Sequence, residues 1–395
     1  MIHWGTDSLG NLVNFQTGKL NSNAATQTGP YPFFTCSQDI FRTDTWAFDC
    51  ECVLLGGNNA NAIYPLKYFK GKFNAYQRTY IIRPKITASL DTKYLFYALQ
   101  LKLELMKNIS TGATTKFLTL SILNTIDICR PPIHTQRKIA AILSAYDDLI
   151  ENNTRRIKIL EEMAQSIYRE WFVNFRFPGR EKVRMVDSKL DKIPEGWGIF
   201  RCSDIATYVN GYAFKPSDWS GEGVPIIKIK ELKEGVSLQT PRYTGSGLPG
   251  KYKIEIGDIL FSWSADLAIY LWTDCVGWLN QHLFNVLPVE GISKSFILYC
   301  LDDQMEHLRT KTTGTTMKHI KRSALDEVSV VLPSKNIRDI FDEVVQPMIE
   351  LIINIKHKLM NLRQTRDLLL PRLISGELDV SDLDIAINGE EGVKL

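Results

Sequence analysis

A divalent-metal nuclease needs carboxylates and a lysine close together, and one part of this chain approaches that pattern with Asp218 followed by Glu231-Leu232-Lys233. Such carboxylates hold Mg²⁺ and help place an attacking water. So short a pattern is common, and charged positions on a half-exposed strand explain it as well. Gly245-Ser246-Gly247-Leu248-Pro249-Gly250 has the spacing GxGxxG. A dinucleotide site needs that motif between a strand and a helix; Pro249 breaks the helix start and Pro241 shortly precedes it, so the stretch reads as a surface loop. An adenine methyltransferase needs Asp or Asn, two prolines, then Tyr or Phe. The pair Pro131-Pro132 stands between Arg130 and Ile133 and fails at both ends. No GxxxxGK[ST] loop for ATP phosphates occurs. His3, His134, His282, His307, His319 and His357 form no spaced pair, and Cys36, Cys50, Cys52, Cys129, Cys202, Cys275 and Cys300 include no CxxC. Zinc with four protein ligands needs clustered thiolates or imidazoles. The expectation is a chain with no catalytic residues and no metal, whose thiols are free in a reducing cytosol.

Nucleic-acid contact is better supplied. Phosphates call for Lys and Arg, and base edges for Asn, Gln, Arg, Ser and Thr. The first half of the chain offers Lys67, Lys70, Lys72, Gln77 and Arg78, interleaved with Tyr68, Phe69, Phe73 and Tyr76. The second half offers Lys228, Lys230, Lys233, Lys251 and Lys253. Thr114 with Lys116, and Thr316 with Lys318, His319, Lys321 and Arg322, add small hydroxyls beside basic groups. Lysines on exposed strands are usually just solvated, and Asn280-Gln281-His282 and Asn74-Ala75-Tyr76-Gln77 are equally explained as internal hydrogen-bonding elements. The net charge of +3 in 395 residues neither demands DNA nor excludes it. It predicts weak DNA binding by this chain alone.

These residues are positioned by a duplicated architecture. Thr111-Gly112-Ala113-Thr114-Thr115-Lys116 continues through Ser121 and Leu123 to Pro131; Thr313-Gly314-Thr315-Thr316-Met317-Lys318 continues through Ser323 and Leu325 to Pro333, 202 residues later at every pair. Trp4, Phe15, Gly18 and Pro32 match Trp197, Tyr208, Gly211 and Pro225 at an offset of 193. Leu54, Ala62, Ile63, Tyr64, Gly71 and Asn74 match Leu260, Ala268, Ile269, Tyr270, Gly277 and Asn280 at 206. A period this long means a doubled domain rather than a solenoid, whose repeats run roughly 20–50 residues. Strand-like stretches at 73–82, 224–229 and 254–261 precede helices expected at 92–106 and 293–309.

A long helix follows each copy. Leu143, Tyr146, Ile150, Asn153, Ile157, Leu160, Ala164, Ile167 and Trp171 alternate at three and four residues, a coiled-coil seam. Adding 202 gives Val345, Met348, Ile352, Ile355, Leu359, Leu362, Arg366, Leu369 and Leu373. So narrow a stripe needs a partner helix, and the nearest is its own duplicate. Asn153 either fixes register or marks a wet point; Arg366 is expected to snorkel to water; Pro347 should kink the second helix or mark a late start. A helix over 134–171 would span ~57 Å at ~1.5 Å per residue, against about 34–36 Å for one turn of B-DNA. No basic-then-apolar start resembles a signal peptide, and no run reaches the ~18 apolar residues of a membrane helix.

The arrangement resembles the specificity (S) subunit of type I restriction-modification systems over nearly the whole chain. The resemblance rests on the order globule, helix, globule, helix, and on three stretches: Pro131-Pro132-Ile133-His134-Thr135-Gln136-Arg137-Lys138-Ile139; Asp191-Lys192-Ile193-Pro194-Glu195-Gly196-Trp197; and Leu369-Leu370-Pro371-Arg372-Leu373-Ile374-Ser375-Gly376-Glu377-Leu378. It implies an α+β fold of two similar target recognition domains separated by two long helices that pair as an antiparallel coiled coil. The expected division is 1–133 (first domain), 134–175 (first helix), 176–334 (linker and second domain), 335–375 (second helix) and 376–395 (tail). It implies a cytoplasmic, non-catalytic chain in which each domain reads one half of an asymmetric bipartite double-stranded DNA target. Two methyltransferase (M) subunits would dock on the helices and bring S-adenosylmethionine; restriction/translocase (R) subunits would bring ATP and Mg²⁺. The rival expectations are a self-contained adenine methyltransferase or nuclease, and a coiled-coil adaptor that binds only proteins.

Overall fold

The computed structural model describes residues 4–112, 115–245, 247–313 and 319–387. The chain forms two compact units, Met1–Glu151 with Asn361–Leu395, and Asn152–Met360, so each unit takes one mixed α+β domain and a part of both long helices.

In the first unit, β1 (Thr6–Ser8) pairs antiparallel with β8 (Asp127–Cys129) and closes the domain. Between them lie β2 (Val13–Thr17), β3 (Tyr31–Phe34), β4 (Phe41–Thr43), β5 (Phe48–Gly56), β6 (Leu66–Ala75) and β7 (Thr79–Pro84). They form one six-stranded sheet in the order β2-β7-β5-β6-β3-β4, in which β3 and β6 run parallel and the other neighbours antiparallel. The stretch Cys52–Leu55 reads as a continuous apolar run because both its faces are covered. On one side Val53, Leu55 and Ile82 pack under Tyr94, Leu95 and Leu99 of α1 (Thr92–Gln100); on the other Cys52 and Leu54 pack with Phe34 and Phe73.

Helix α1 starts where the Asp91 carboxylate accepts the Tyr94 N–H (2.9 Å). The single helix expected over 92–106 is broken: Lys102 N–H bonds Leu99 O (2.9 Å) in a tightened turn, and α2 (Leu103–Ile109) begins anew.

In the second unit the order repeats. There β9 (Gly198–Arg201) pairs with β18 (Ser329–Leu332) as β1 does with β8. Between them lie β10 (Ala206–Asn210), β11 (Val224–Ile227), β12 (Arg242–Tyr243), β13 (Lys253–Ile254), β14 (Ile259–Ser262), β15 (Ala268–Leu271), β16 (Gly277–Leu279) and β17 (Leu283–Pro288). The sheet is split into β10-β17-β14-β15 and β12-β11-β16-β13.

The split has a local cause. The long hairpin β5–β6 of the first unit is interrupted here at 255–258, where Gly257 takes φ +88°, and at 272–276. Gly257 N–H to Trp272 O and Trp272 N–H to Asp258 O (both 2.8 Å) tie the two breaks together. The strand expected over 254–261 is therefore two strands. The one expected over 73–82 is the end of β6, a turn and β7. The one over 224–229 stops at Ile227, and Ile229 opens a short helix instead. Helix α4 (Lys294–Thr310) is continuous and capped by Ser293, whose Oγ accepts Phe296 N–H (3.2 Å).

Strand pairing also corrects the repeat alignment. Leu54 faces Lys67 and Leu260 faces Tyr270, so Lys67, not Tyr64, is the counterpart of Tyr270. Gly18 N–H bonds Thr79 O and Gly211 N–H bonds Leu283 O, an offset of 204 on the following strand. The offset of 206 holds for Leu54 and Leu260 and does not extend to residues 62–74, because the hairpin loop of the first copy is longer.

The long helices are α3 (Ile133–Tyr168), extended by a π-turn at Arg169–Val173, and α5 (Lys335–Ser375). Helix α5 runs through Pro347, which therefore marks no late start; Pro347 and Glu343, the residue whose carbonyl loses its N–H partner, are both exposed to water. Within the first unit the helices run antiparallel. Lys138 Nζ bonds Ser381 O (2.6 Å) beyond the end of α5, and further along α3 Asp147 meets Arg366 at 2.8 Å. Within the second unit Glu161 meets Lys356 at 3.3 Å, and the Tyr168, Trp171 and Phe172 rings surround Phe341 at 6.2, 6.0 and 5.0 Å. Leu143, Asn153, Ile157, Ala164, Val345, Ile352, Ile355, Leu359 and Leu373 are buried; Tyr146, Ile150, Leu160, Ile167, Trp171, Met348, Leu362, Arg366 and Leu369 are half-buried. Arg366 does not snorkel. It bonds Asp147, which also accepts the Tyr97 hydroxyl (2.6 Å), so a charge at a seam position ties both helices to α1.

Each domain is locked to its helix at equivalent places. Gln136 is fully buried; its amide donates to Ser89 O (3.0 Å) and Pro131 O (2.8 Å) and accepts Asp91 N–H (2.9 Å). In the second unit Arg338, 202 residues on, donates to Gly291 O (2.6 Å).

Candidate nucleic-acid interface

The lysines of β6 divide between two faces. Lys67 shares its face with Phe69 and Phe73, and its Nζ bonds Ser37 O (2.7 Å) and Asp39 O (3.5 Å). Burial pulls its ammonium below the usual lysine range, opposed by Asp39. Lys70 and Lys72 stand on the other face, cross-strand from Glu51 and Asp49. Lys70 pairs with Glu51 at 3.4 Å, and Lys72 lies 4.7 Å from the centre of the exposed Trp46 ring.

In the second domain Lys228 lies 4.8 Å from the exposed Trp219 ring and Lys251 lies 5.0 Å from Tyr252. Lys230 pairs with Glu234 (3.8 Å), Lys233 with Asp266 (3.1 Å) and Lys253 with Glu255 (3.1 Å). A lysine already paired with a carboxylate brings little net charge to a phosphate. Lys116 sits on a two-residue strand opposite Asn59; Lys321 and Arg322 are exposed, Arg322 beside a surface hollow lined by Ser203, Thr207 and Asp326. Thr114, Thr316 and Lys318 lie outside the described residues.

Gln77 and Arg78 form the tip of the turn between β6 and β7, and both side chains are exposed. The backbone beneath them is fixed: Gln77 N–H bonds Leu20 O (3.0 Å), and Arg78 O accepts Gly57 N–H (2.8 Å). The Arg78 guanidinium lies 5.4 Å from the Phe117 ring and makes no ion pair among the described residues. Leu118 N–H bonds Gly57 O (2.9 Å), so this turn and the foot of the first Thr-Gly loop are joined through Gly57. In the second domain His282 and His319 both lie against Trp263, at 5.7 and 5.9 Å between ring centres. Two histidines with no sequence spacing in common thus meet on one indole, which itself donates to Asn210 Oδ1 (3.3 Å).

The residues that resembled chemistry serve the fold. Asp218 accepts Lys215 N–H (2.7 Å) and the buried Glu231 accepts Lys228 N–H (3.1 Å), each capping its own turn, while Lys233 is engaged by Asp266. Pro249 leads into a three-residue 3₁₀ turn, Gly250–Tyr252, rather than an α-helix; Ser246 lies outside the described residues. Burial pushes the Cys300 thiol up to about 12, which removes it as a nucleophile near neutrality. Among the described residues no helix is long and apolar enough to cross a membrane.

The family described as "Type I restriction modification DNA specificity domain" matches residues 1–162 and 194–361, once over each domain with helix attached. The chain belongs to that family. It is a type I restriction-modification DNA specificity protein with two such domains. Among its relatives, the type I restriction enzyme MjaIX specificity subunit of Methanocaldococcus jannaschii is 29% identical over 304 residues, covering 74% of this chain and 70% of that one. The type I restriction enzyme EcoDI specificity subunit of Escherichia coli is 30% identical over 285 residues, covering 64% of this chain and 62% of that one. The crystal structure of a type I restriction-modification system S subunit from M. genitalium shares the fold, with a TM-score of 0.64 at 16% identity over 94% of this chain and 96% of that one. In this specificity protein, the sequence marks Tyr97 only as a repeat match of Tyr299 and gives no role to Tyr97, Asp147 or Trp263. Their partners are far away in the sequence, so no local pattern marks them.

Proposed function

We propose that this chain directs a type I complex to DNA: each domain reads one half of an asymmetric bipartite target, and the chain itself catalyses nothing. The observation that carries the reading is the doubled DNA-specificity fold in one chain, built on the same backbone frame with different surface side chains. The paired helices would set the unread spacer and offer docking faces to two methyltransferase subunits. S-adenosylmethionine would enter with those subunits, and ATP with Mg²⁺ would enter with the restriction/translocase subunits, in the cytoplasm. Tethering two readers makes the second contact intramolecular, which raises avidity without a larger charge on either domain.

The test is an exchange of residues 190–325 for the matching part of another family member, followed by mapping of methylated adenines in cells that carry the chain with its methyltransferase partner. One half of the methylated motif should change while the other half stays intact. An unchanged motif, or a change in both halves, would refute the reading.

A further inference from the structure

The strongest unassigned feature is the same surface element built twice. In each domain a glycine lies under a tight turn because a Cβ there would collide with the backbone: at 1.9 Å from Ala75 O for Gly18, and 2.2 Å from Asn280 O for Gly211. The turn is then held at the same points. Gly18 N–H to Thr79 O (3.3 Å) corresponds to Gly211 N–H to Leu283 O (3.0 Å), and Gln77 N–H to Leu20 O (3.0 Å) to Gln281 N–H to Tyr212 O (2.9 Å). Leu118 N–H to Gly57 O corresponds to Ile320 N–H to Trp263 O, both 2.9 Å. This frame makes Gln77 the counterpart of Gln281, Arg78 of His282, and Phe117 of His319.

Backbone positions are shared while the displayed chemistry differs: Gln-Arg beside a phenylalanine in one domain, Gln-His beside a tryptophan and a second histidine in the other. We infer that these two turn tips, Gln77-Arg78 and Gln281-His282, are base-reading residues, each specifying part of its own half-site in the major groove. The inference rests on the bipartite-reader function proposed above.

Three observations favour it over the lysine-bearing strands. The tips stand on a backbone with little freedom, so little order has to be gained on binding. Among the described residues no carboxylate pairs with Arg78, whereas Lys70, Lys230 and Lys253 are paired. Gln can bond an adenine edge and Arg a guanine edge through two atoms in a fixed geometry, whereas a lysine ammonium is one point donor on a flexible stem and holds no such fork.

The experiment uses the chain assembled with its methyltransferase partner, and reads the methylated motif across a genome for Arg78→Ala, Arg78→Lys, Gln77→Ala and His282→Ala, with Lys70→Ala as control. Arg78→Ala should lower discrimination at one base pair of one half-site by about 5- to 150-fold, the range for a bidentate base contact, and leave the other half-site unchanged. His282→Ala should relax the other half-site instead. Arg78→Lys should stay relaxed, since the ammonium keeps the charge but not the two-atom fork, and Lys70→Ala should leave base preference as it was. A uniform fall in methylation across all sequences, full rescue by Arg78→Lys, or an unaltered motif in both Arg78→Ala and Gln77→Ala would each overturn the inference. Co-purification with the methyltransferase establishes that each variant is folded; should Arg78→Ala fail there, Gln77→Ala decides alone. If the unaltered complex marks no two-part site, the functional reading itself fails, a result distinct from all of these.

Discussion

Arg366 occupies a seam position of α5, whose other seam positions hold Val, Met, Ile or Leu, and the structure assigns it a partner that can be tested by a double-mutant cycle. Its guanidinium donates to Asp147 across the helix pair of the first unit (2.8 Å) and to Asp367 on its own helix (2.8 Å). The side chains of Arg366 and Asp147 are 21% and 34% exposed. A fully exposed pair contributes ~0–1 kcal/mol, whereas breaking a fully buried one costs about 3–5 kcal/mol. This pair lies between those limits, and Asp147 keeps the Tyr97 hydroxyl when Arg366 is lost. The expected coupling between Asp147→Ala and Arg366→Ala is therefore about 1–2 kcal/mol, or about 5- to 30-fold in the local opening equilibrium. Hydrogen exchange on peptides covering 133–151 and 361–375, in the parent, both single variants and the double, measures it. The coupling should largely survive 1 M salt, where exposed charges more than ~3 Å apart are screened and a half-buried contact is screened much less. A coupling below about 0.5 kcal/mol, the level at which unconnected residues already fail to add, would refute the assignment.

Other outcomes follow from the same packing. Phe341 is fully buried among Tyr168, Trp171 and Phe172, so Phe341→Ala should cost about 3–5 kcal/mol in the second unit and Phe341→Leu distinctly less, as read by urea unfolding with tryptophan fluorescence. Gln136→Ala should slow formation of, or loosen, the joint between the first domain and α3, because it strands Ser89 O, Pro131 O and Asp91 N–H at about 1–3 kcal/mol per unsatisfied group. Faster hydrogen exchange at 89–95 would register this. Gly18→Ala and Gly211→Ala should each cost at least about 1–3 kcal/mol, since the obstacle is backbone. Loss of one half-site preference by methylome mapping, a different half for each variant, would accompany the cost.

Much of the scaffold was legible because it rests on local rules. The 202-residue offset marked the doubled domain, Gly18 and Gly211 were paired at 193, and the three-four spacing from Leu143 to Trp171 marked a buried stripe. What escaped depends on contacts that no window of sequence contains. The break at 272–276 turns one sheet into two, yet its signal is a single turn closed by Gly257 and Trp272 across the hairpin. Tyr64 and Tyr270 looked like a matched pair because identical letters fell at one offset; strand register moves the true counterpart to Lys67. Arg366 looked like a surface charge because Asp147 is more than two hundred residues away.

Gly57 and Trp263 hold equivalent places, and their difference limits how specificity could be transplanted between the domains. At Gly57 a Cβ would meet Arg78 O at 2.7 Å and the Tyr80 ring at 2.8 Å, so the first domain brings its turn close by having no side chain there. The second domain fills the same place with an indole that touches both His282 and His319. Moving His282 alone into position 78 would leave it beside Phe117 without that indole, and moving Trp263 alone into position 57 would drive it into Arg78 O and Tyr80. The turn tip, residue 57 or 263, and the loop-foot residue therefore form one physical unit in each domain. A graft that carries all of them is expected to transfer base preference, whereas a graft of the tip alone is expected to weaken it.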